Sequence, residues 1–549
     1  MLQTRTHEVL NQPPPLEDYD PFALDAPLRE AVDRAGAGWA TDRVSELGRR
    51  VGSAEMIELG RRANRFVPEL RTFDRYGHRI DEVELDDSFD RLMTIGRRAG
   101  IPSIPWVNPR PGAHSAHTAM TYLFYQAEAG VVCSLLMSYA AVPTLRHQPE
   151  VAAAWEHAVL ADDYDGRSVP AGEKRAATIA MAMTEKQGGS DLRANTTVAV
   201  PVGTPGPGQR YLLTGHKWFC SMPMSDAILT LARVEHGVSC FLVPRFTPDG
   251  ERNRVHLQRL KDKLGNRSNP SAEIEYDGTW ALMVGEPGRG IATLMEMVHH
   301  SRLDVAAAPA AFMRLGLVQA VHHARHRRAF SRRLVEQPLM VNVLADLAVE
   351  SEAATTLLMR LGRCFDGAER DPMEASLARI GTSLTKYWLN KRVVPHTHEA
   401  LESLGGSGYI EESDLPRLYR EGPLNGIWEG SGSVIALDLQ RALRRDERCR
   451  PALLAELEPA AGCDPGYDRL LAEVTDLLDG ADDPVAARRL AERTALCWQA
   501  ALLVRHAPGH VAEAFLAGRV RPRPASAFGS LPASTDLEAI LDRAVPERP

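Results

Sequence analysis

The sequence lacks several features that would place the chain in a specialised class. Its seven cysteines include no C-x-x-C pair, so we expect reduced thiols rather than a disulfide framework or a cysteine-ligated zinc site. No run reaches the roughly 18 consecutive apolar residues that a membrane span needs. The most apolar stretch, residues 129–145, contains serine and tyrosine and is typical of a buried core helix. The first 20 residues carry no apolar signal-peptide core. We therefore expect a cytoplasmic protein with no membrane partner.

The charge balance excludes a generally basic protein of the kind that coats nucleic acid. The formal net charge is −8, and 25% of the residues are charged, as in an average globular protein. A length of 549 residues is too great for one small core. Roughly two to four domains are expected for such a chain.

The hydrophobic pattern changes along the chain and predicts its domains. In residues 1–177 apolar residues recur at three- and four-residue steps, which indicates helices. Residues 178–288 change to a period of two, as in SAEIEYDG, and predict an antiparallel β domain because no helices separate the strands. Helical spacing returns in residues 289–445. It continues in an additional segment, 446–549, which is helical to about Ala517 and then loop-like or flexible. The predicted fold class is mainly α with a central β domain.

Four motifs carry candidate chemistry. MTEKQGGSDLRANTT begins at Met183 and contains a Gly-Gly-Ser loop whose backbone N–H groups can approach an anion or a planar ring. TGHKWFCS places aromatic side chains on a strand, for which a β core is the ordinary interpretation. KLGNRSNPSAEIEY is a basic turn leading into a strand. NGIWEGSGS places Glu429 between an indole and a glycine- and serine-rich turn.

Together and in this order, the motifs resemble those of the acyl-CoA dehydrogenase family. TEKQGGSD, KLGNRS and IWEGSGS match its flavin-loop, basic-turn and catalytic segments. RLKDKLGNRSN, EQPLM and PRLYREGPLNGIWEGSG are similar to the AidB-like, adaptive-response flavoproteins within that family. The resemblance extends from about residue 12 to about residue 445. It implies an N-terminal helical domain, a middle antiparallel β domain and a C-terminal four-helix bundle. It also implies a homotetramer that binds FAD and an acyl-CoA thioester.

The resemblance also implies which residues bind FAD. Thr184 and Ser190 would hydrogen-bond the flavin and its pyrophosphate, and Phe219 would lie against the isoalloxazine ring. Arg327 and Phe330 would reach the FAD of a neighbouring subunit, where a guanidinium suits a pyrophosphate. The implied cofactor-binding set is Thr184, Ser190, Phe219, Ser221, Arg327, Phe330, Gly405, Gly406 and Ser431.

One stretch near these positions has another interpretation, and two positions depart from the family pattern. The stretch HHARHRRAF, residues 322–330, is typical of a solvated basic helix face, and its histidines lack companions at metal-ligand spacing, so no metal site is predicted. Glu402 stands where the family has glutamine, and Gln337 lies one position early and is followed by Pro338. We therefore expect a modest affinity for FAD.

The family's catalytic base aligns with Glu429. Dehydrogenation of a thioester removes the α proton while hydride leaves the β carbon for flavin N5. A glutamate at its ordinary pKa of about 4.3 is a weak base, and desolvation beside Trp428 would raise that pKa. A glutamate stabilised by a helix N-terminus is the alternative interpretation. The resemblance also places Arg302 and Asp304 in the substrate pocket, where Asp304 would narrow the pocket or repel an acidic acyl tail.

A second class of function follows from the AidB-like resemblance: a double-stranded-DNA-associated flavoprotein of the alkylation response with little turnover. Residues 441–549 contain 15 arginines against 17 acidic residues, which is not a basic module. Four arginines recur at three- and four-residue steps and would line one helix face that binds phosphates. A solvated face is the ordinary interpretation. The four candidates are Arg441, Arg444, Arg445 and Arg448.

Overall fold

The structure is a computed structural model that describes residues 6–521 and 526–546. It divides into two compact units. We call Glu55–Val305 the β unit, and Met1–Ala54 together with Ala306–Pro549 the helical unit. The flexible end expected from the sequence lies partly outside the described residues, at 522–525 and 547–549.

The helices of the β unit follow the predicted apolar spacing. Asp86 is the N-cap of one of them, because its carboxylate accepts a hydrogen bond from Ser88 N at 3.0 Å. The stretch expected to be a core helix forms Gly130–Leu145, which is buried on nearly every side. The helix bounds are Ala54–Arg65, Asp87–Arg98, Ile104–Val107, Ala113–Ala127, Gly130–Leu145 and Pro149–Val159.

The strands of the β unit form a small hairpin and one larger sheet. The hairpin pairs β1 with β2 in antiparallel fashion. In the larger sheet the strand order is β3-β6-β4-β5-β9-β7, β8 pairs with β9, and β7 also pairs with β6. The strands are β1 Glu69–Phe73, β2 Arg79–Glu84, β3 Ile179–Ala182, β4 Val198–Pro201, β5 Arg210–Cys220, β6 Ala227–Val234, β7 Gly237–Pro244, β8 Val255–Leu260 and β9 Ala272–Val284.

Two strand pairings differ from the expected antiparallel pattern. β6 runs parallel to both β3 and β4, whereas the other pairings in this sheet are antiparallel. The β4–β5 hairpin reverses the chain once, and the connection to β6 reverses it again, so β6 returns in the direction of β4. The strictly antiparallel prediction is therefore wrong for these pairs.

Long helices form the helical unit. The helix Pro372–Ser403 packs against Pro338–Gly367 and Gly432–Arg445. It ends at Ser403, with Leu404 as its C-cap before Gly405 and Gly406, close to the end that the sequence predicts. Other helices of this unit are Ala26–Arg34, Thr41–Val51, Gly406–Tyr409, Leu415–Glu421, Cys449–Leu457, Pro465–Asp479, Ala487–His506, Gly509–Phe515 and Leu537–Ala544, with a π-helix at Leu516–Val520.

One helix is both long and apolar. Gly290–His326 has 37 residues and belongs to both units, which are divided between Val305 and Ala306. In the part of the chain that the structure describes, this helix alone passes a length-and-hydropathy test for a membrane span, with a mean hydropathy of 1.2 in its most apolar window. Because 89% of that window is buried inside the protein, the helix is typical of a core helix.

The additional C-terminal segment is an integral layer of the helical unit. Its helix Ala487–His506 packs against Pro338–Gly367, Pro372–Ser403 and Gly432–Arg445. Arg519 joins the layer to the bundle, because its guanidinium bonds Asp346 at 2.5 Å and Glu350 at 3.0 Å.

The last helix, Leu537–Ala544, differs from the loop expected after Ala517. Ile540 and Leu541 are buried. Arg543 binds Glu352 and also Glu30 near the other end of the chain. These distant partners stabilise a helix that the pattern of its own eight residues does not predict.

Candidate active site

A fully buried ion pair holds the Gly-Gly-Ser loop of the β unit. Glu185 Oε1 lies 2.8 Å from Lys217 Nζ on β5, and both side chains are 0% exposed. Glu185 also accepts hydrogen bonds from the backbone N–H and hydroxyl groups of Thr196 and Thr197 at 2.6–3.1 Å. Lys217 Nζ donates to Leu231 O at 2.7 Å. The polar atoms of the pair are thereby satisfied, so the loop is tied firmly to the sheet.

Burial and pairing act in opposite directions on these two groups. Burial lowers the pKa of Lys217 to about 8, although the charge of Glu185 opposes that change. Burial also raises the pKa of Glu185, but the Lys217 charge and the hydrogen bonds outweigh it and hold that pKa well below its ordinary value. Glu185 is therefore a carboxylate at neutral pH.

The loop itself places the predicted hydroxyl groups. Thr184 is half-buried, and its carbonyl accepts a hydrogen bond from Trp218 N on β5 at 2.7 Å. A Cβ added at Gly189 would lie 2.6 Å from Thr184 Oγ1, so only glycine lets the loop fold back over Thr184. Ser190 follows on the exposed side of the loop.

The end of β5 presents an aromatic surface. Phe219 is 48% exposed. Lys261 Nζ lies 3.3 Å from the Trp218 ring centroid and 4.7 Å from that of Phe219, and it also pairs with Glu273 at 2.6 Å. Ser221 accepts a hydrogen bond from Asn269 Nδ2 at 3.3 Å. An exposed ring, flanked by a hydroxyl and a cation, suits one face of a planar, anionic cofactor.

Sequence reasoning missed the residues that support this surface. Lys217 continues the inward positions of β5, where Tyr211 and Leu213 are also buried. A lysine at an inward position of a strand requires a buried anion. That alternation was visible in the sequence, whereas its partner Glu185 lies 32 residues away.

Arg302 and Asp304 lie on the helix Gly290–His326, and both are buried. Asp304 Oδ1 is 2.7 Å from His117 Nε2, and both side chains are 0% exposed. Burial raises the pKa of Asp304, and His117 opposes that change. The predicted pocket carboxyl is therefore one member of a buried pair.

Glu429 lies in the helical unit at a strained backbone position. Its φ of +57° is in the left-handed region, and Gly430 follows with φ +108°. Glu429 and Trp428 are both half-buried, and the Trp428 indole donates to Asn425 Oδ1 at 2.8 Å. Lys386 Nζ donates to the Gly430 carbonyl at 2.7 Å and fixes the turn.

The helix after this turn begins at Gly432 with Ser431 as its N-cap. Glu429 lies two residues before that cap, outside the first helical turn. The alternative of a glutamate at a helix start is therefore less suitable than a residue held by the turn. Ser431 is exposed and makes no capping hydrogen bond.

Gly405 and Gly406 lie on an open surface of the helical unit. Gly405 has φ +60°, which favours glycine. A Cβ at either residue would meet no described atom within 4 Å, so a ligand or another chain can approach this backbone closely. Glu402, one of the departures from the family pattern, is exposed beside them.

Arg327 and Phe330 lie at a short exposed hairpin. Strands β10 (Arg328–Ala329) and β11 (Arg332–Arg333) are joined by Phe330 and Ser331, with φ values of +52° and +65°. Phe330 is 93% exposed. Arg327 Nη1 donates to the carbonyl of Asn11 at 2.7 Å. Since the preceding helix ends at His326, these two residues do not belong to a basic helix face.

The four candidate arginines do not form one helical stripe. The helix Gly432–Arg445 ends before Asp446, which is extended, so the prediction that Arg448 shares a helix face with the other three is wrong. Three of the four are paired with aspartates, which are Asp438 at 3.7 Å from Arg441, Asp482 at 3.5 Å from Arg444 and Asp446 at 2.8 Å from Arg448.

Within residues 6–521 and 526–546 no group of three or more His, Cys, Asp or Glu side chains is arranged to hold a metal ion. Within each unit, the residues that the sequence analysis assigned to FAD have the chemistry that a flavin needs. The β unit supplies Thr184, an exposed ring at Phe219 and a hydroxyl at Ser221, and the helical unit supplies open glycine backbone at Gly405 and Gly406.

Comparisons with known proteins agree with these features. Three families match: the adaptive response protein AidB N-terminal domain over residues 11–166, the acyl-CoA dehydrogenase middle domain over residues 180–279 and the acyl-CoA dehydrogenase C-terminal domain over residues 288–444. The chain is 43% identical over 467 residues to the putative acyl-CoA dehydrogenase AidB of Escherichia coli K12, covering 85% of each chain. It is 29% identical over 478 residues to acyl-CoA dehydrogenase family member 11 of Caenorhabditis elegans, covering 84% of this chain and 76% of the relative.

Solved structures share the fold. The chain is similar to Caenorhabditis elegans ACDH-11 in complex with C11-CoA, with a TM-score of 0.84 and 26% identity over 99% of this chain and 93% of that one. It also has the fold of an acyl-CoA dehydrogenase complexed with FAD from Bacillus anthracis, with a TM-score of 0.61 and 17% identity over 76% of each chain. The expected fold, enzyme class and cofactor are therefore confirmed. The chain belongs to the acyl-CoA dehydrogenase family, whose members are FAD-dependent oxidoreductases.

Proposed function

We propose that this protein dehydrogenates an acyl-CoA thioester between its α and β carbons, with Glu429 as the base. The observation that carries the proposal is the turn at Glu429, where the carboxyl oxygen Oε2 is buried and Lys386 fixes the backbone through the Gly430 carbonyl. Bound FAD supplies the acceptor for the hydride that leaves the β carbon. Glu429 takes the α proton, and the electron pair of that C–H bond forms the new double bond.

The protein's own residues prepare this step in three ways. The backbone turn that carries Glu429 is fixed by Lys386, which limits the positions that its carboxyl group can reach. Glu429 Oε2 is buried, so water is excluded from one side of the carboxyl group. In the β unit, the Glu185–Lys217 pair fixes the loop that carries Thr184 and Ser190.

The chain length of the substrate is also a proposal. The similar Caenorhabditis elegans structure contains C11-CoA, and this supports a chain of comparable length for the present protein. The exposed Phe330 supports the homotetramer that the family resemblance implies. The buried state of six of the seven described thiols, none of which forms a disulfide, supports a cytoplasmic location.

Anaerobic titration with acyl-CoAs of increasing length tests the function. We expect the bound flavin to bleach with the parent protein and to remain oxidised in Glu429→Gln, which should still bind FAD. Glu412→Gln replaces an exposed glutamate of the same unit and is the matched control. Bleaching of Glu429→Gln at the parent rate would show that another group is the base.

The association with double-stranded DNA stays an alternative prediction. The match to the adaptive response protein family supports it. The ion pairs of Arg441, Arg444 and Arg448 weigh against a phosphate-binding stripe at these positions, because each pair would have to be broken or screened.

A further inference from the structure

A group of imidazole and aromatic rings adjoins the His117–Asp304 pair in the β unit. His117 bonds Asp304 at 2.7 Å, and its ring stacks on Tyr139 with a centroid distance of 3.9 Å and an interplanar angle of 27°. Trp106 lies 5.5 Å from the Tyr139 ring and 5.5 Å from the His300 ring. The pair is therefore bordered by rings on its His117 side and is shielded from water.

The hydrogen bonds determine how many protons the His117–Asp304 pair holds. His117 Nδ1 lies 2.7 Å from the carbonyl oxygen of Ile101. A carbonyl can only accept, so Nδ1 carries a hydrogen. A second proton must lie between His117 Nε2 and Asp304 Oδ1, because two acceptors would repel each other at 2.7 Å. The pair therefore has no net charge, whichever atom holds the shared proton.

This neutrality changes what Asp304 can do to a substrate. An isolated buried carboxylate would repel an acidic acyl tail, as expected from the sequence. A neutral pair exerts no such repulsion. The neutral pair would also bind a cationic substrate group only weakly, because that group would bring an unbalanced charge into the interior.

The other carboxyl oxygen of the pair has an unused acceptor site. Asp304 Oδ2 is buried and has no hydrogen-bond partner among the described residues. The donors of the ring group have other partners: Trp106 Nε1 donates to Tyr139 O at 3.1 Å, and the Tyr139 hydroxyl lies 2.9 Å from His114 Nδ1. His300 Nδ1 lies 3.0 Å from Glu296 O. Buried acceptors without a donor are uncommon and costly.

We propose that Asp304 Oδ2 accepts a hydrogen bond from a hydroxyl group on the acyl chain, so that the protein prefers hydroxylated acyl-CoA thioesters. A neutral donor fits because the His117–Asp304 pair is itself neutral, and the ring-lined surroundings suit carbon chain rather than the phosphates of CoA. This inference rests on the dehydrogenase function proposed above. It names the substrate class for that same reaction.

Matched pairs of acyl-CoAs test the proposal. Each pair has one chain length and differs only in a hydroxyl group, placed at successive carbons along the chain. We expect flavin reduction at least about ten-fold more efficient with the hydroxyl than without it, at one position only, since a fixed acceptor reaches one carbon. If the hydroxyl group gives no preference, or the same preference at every carbon, the inference is wrong. Flavin reduction by those acyl-CoAs would still support the dehydrogenase function.

Two variants locate the effect. Asp304→Leu removes the acceptor and should bring the preference close to one, whereas Glu296→Gln, an exposed acid on the same helix, should leave it unchanged. If Asp304→Leu retains the preference, Oδ2 is not the acceptor. Should this variant not fold, Asp304→Asn can point its amide nitrogen at His117 and keep an oxygen in place, and loss of the preference there would contradict the proposal. If no acyl-CoA thioester reduces the flavin of the parent protein, the proposed dehydrogenase function is wrong.

Discussion

Two of the surfaces predicted to bind flavin, one within each unit, are held in opposite ways. The loop at Thr184 lies over a buried ion pair whose members are 0% exposed and multiply bonded. The hairpin at Phe330 has a tip that is 93% exposed, and the backbone at Gly405 meets no described atom where a side chain would be. The first surface is complete when its unit folds. The second has the properties of a surface completed by a ligand or by another chain.

Breaking the buried Glu185–Lys217 pair should have the largest effect, because it removes the interaction that holds the first surface. Lys217→Met leaves the Glu185 carboxylate buried without its cation. We expect a loss of about 3–5 kcal/mol in the free energy of unfolding and the loss of bound flavin. Chemical denaturation and the flavin absorbance per protein chain measure both changes. The double variant Glu185→Gln with Lys217→Met should recover part of the stability, and a single variant as stable as the parent would show that the pair does not hold the loop.

Acidification should loosen the helical unit by a somewhat smaller amount, because this unit also contains a buried network. Burial raises the pKa of Glu350, but the charges of Arg392 and Arg519 outweigh it and lower the pKa to about 2, from an ordinary 4.5. A lowered pKa stabilises the fold at pH values above 4.5. That stability, about 3 kcal/mol, is lost as the pH falls from 4.5 towards 2.

The free energy of unfolding in urea, measured across that pH range, checks this expectation. Arg519→Met should show a flatter pH dependence than the parent, because only Arg392 then opposes protonation of Glu350. Arg43→Met changes an exposed arginine of the same unit and is the control, which should follow the parent. Equal pH dependence in the parent and in Arg519→Met would exclude Glu350 as the source.

A charge at the hairpin tip should have the smallest effect on stability. Phe330→Asp replaces an exposed ring, so the free energy of unfolding should change by less than about 0.5 kcal/mol. Self-association and flavin retention at low protein concentration should nevertheless fall, which sedimentation and the flavin-to-protein ratio measure. Val485→Asp changes another highly exposed apolar residue of the same unit and is the control. If both variants associate like the parent, the tip does not contact a neighbouring subunit.

Local patterns in the sequence predicted much of the fold. Period-two alternation in SAEIEYDG became β9, and the glycines at 405 and 406 correctly indicated the end of a long helix. The strand and the helix end both depend on residues that are close to them in sequence. The helix Leu537–Ala544 was missed because Arg543 stabilises it through Glu352 and Glu30, which are 191 and 513 residues away.

The site was predictable to a similar limit. Motif resemblance indicated Phe219 and Glu429, whose roles stay predictions. His117 and Asp304 are 187 residues apart, and no local pattern indicates that they share a proton. Arg448 was placed on a helix by spacing alone, whereas the extended conformation of Asp446 ends that helix first. Side-chain pairs and helix ends depend on contacts that spacing does not contain.

The left-handed backbone at Glu429 has a consequence for engineering and for natural variation. A residue with a Cβ is strained at φ +57°, and glycine removes that strain. Replacing Glu429 with glycine should therefore make the chain about 1 kcal/mol more stable while removing the proposed base. A screen that rewards heat resistance alone would select against the glutamate. Its retention here is best understood as a compromise in which the fold tolerates strain for the sake of chemistry.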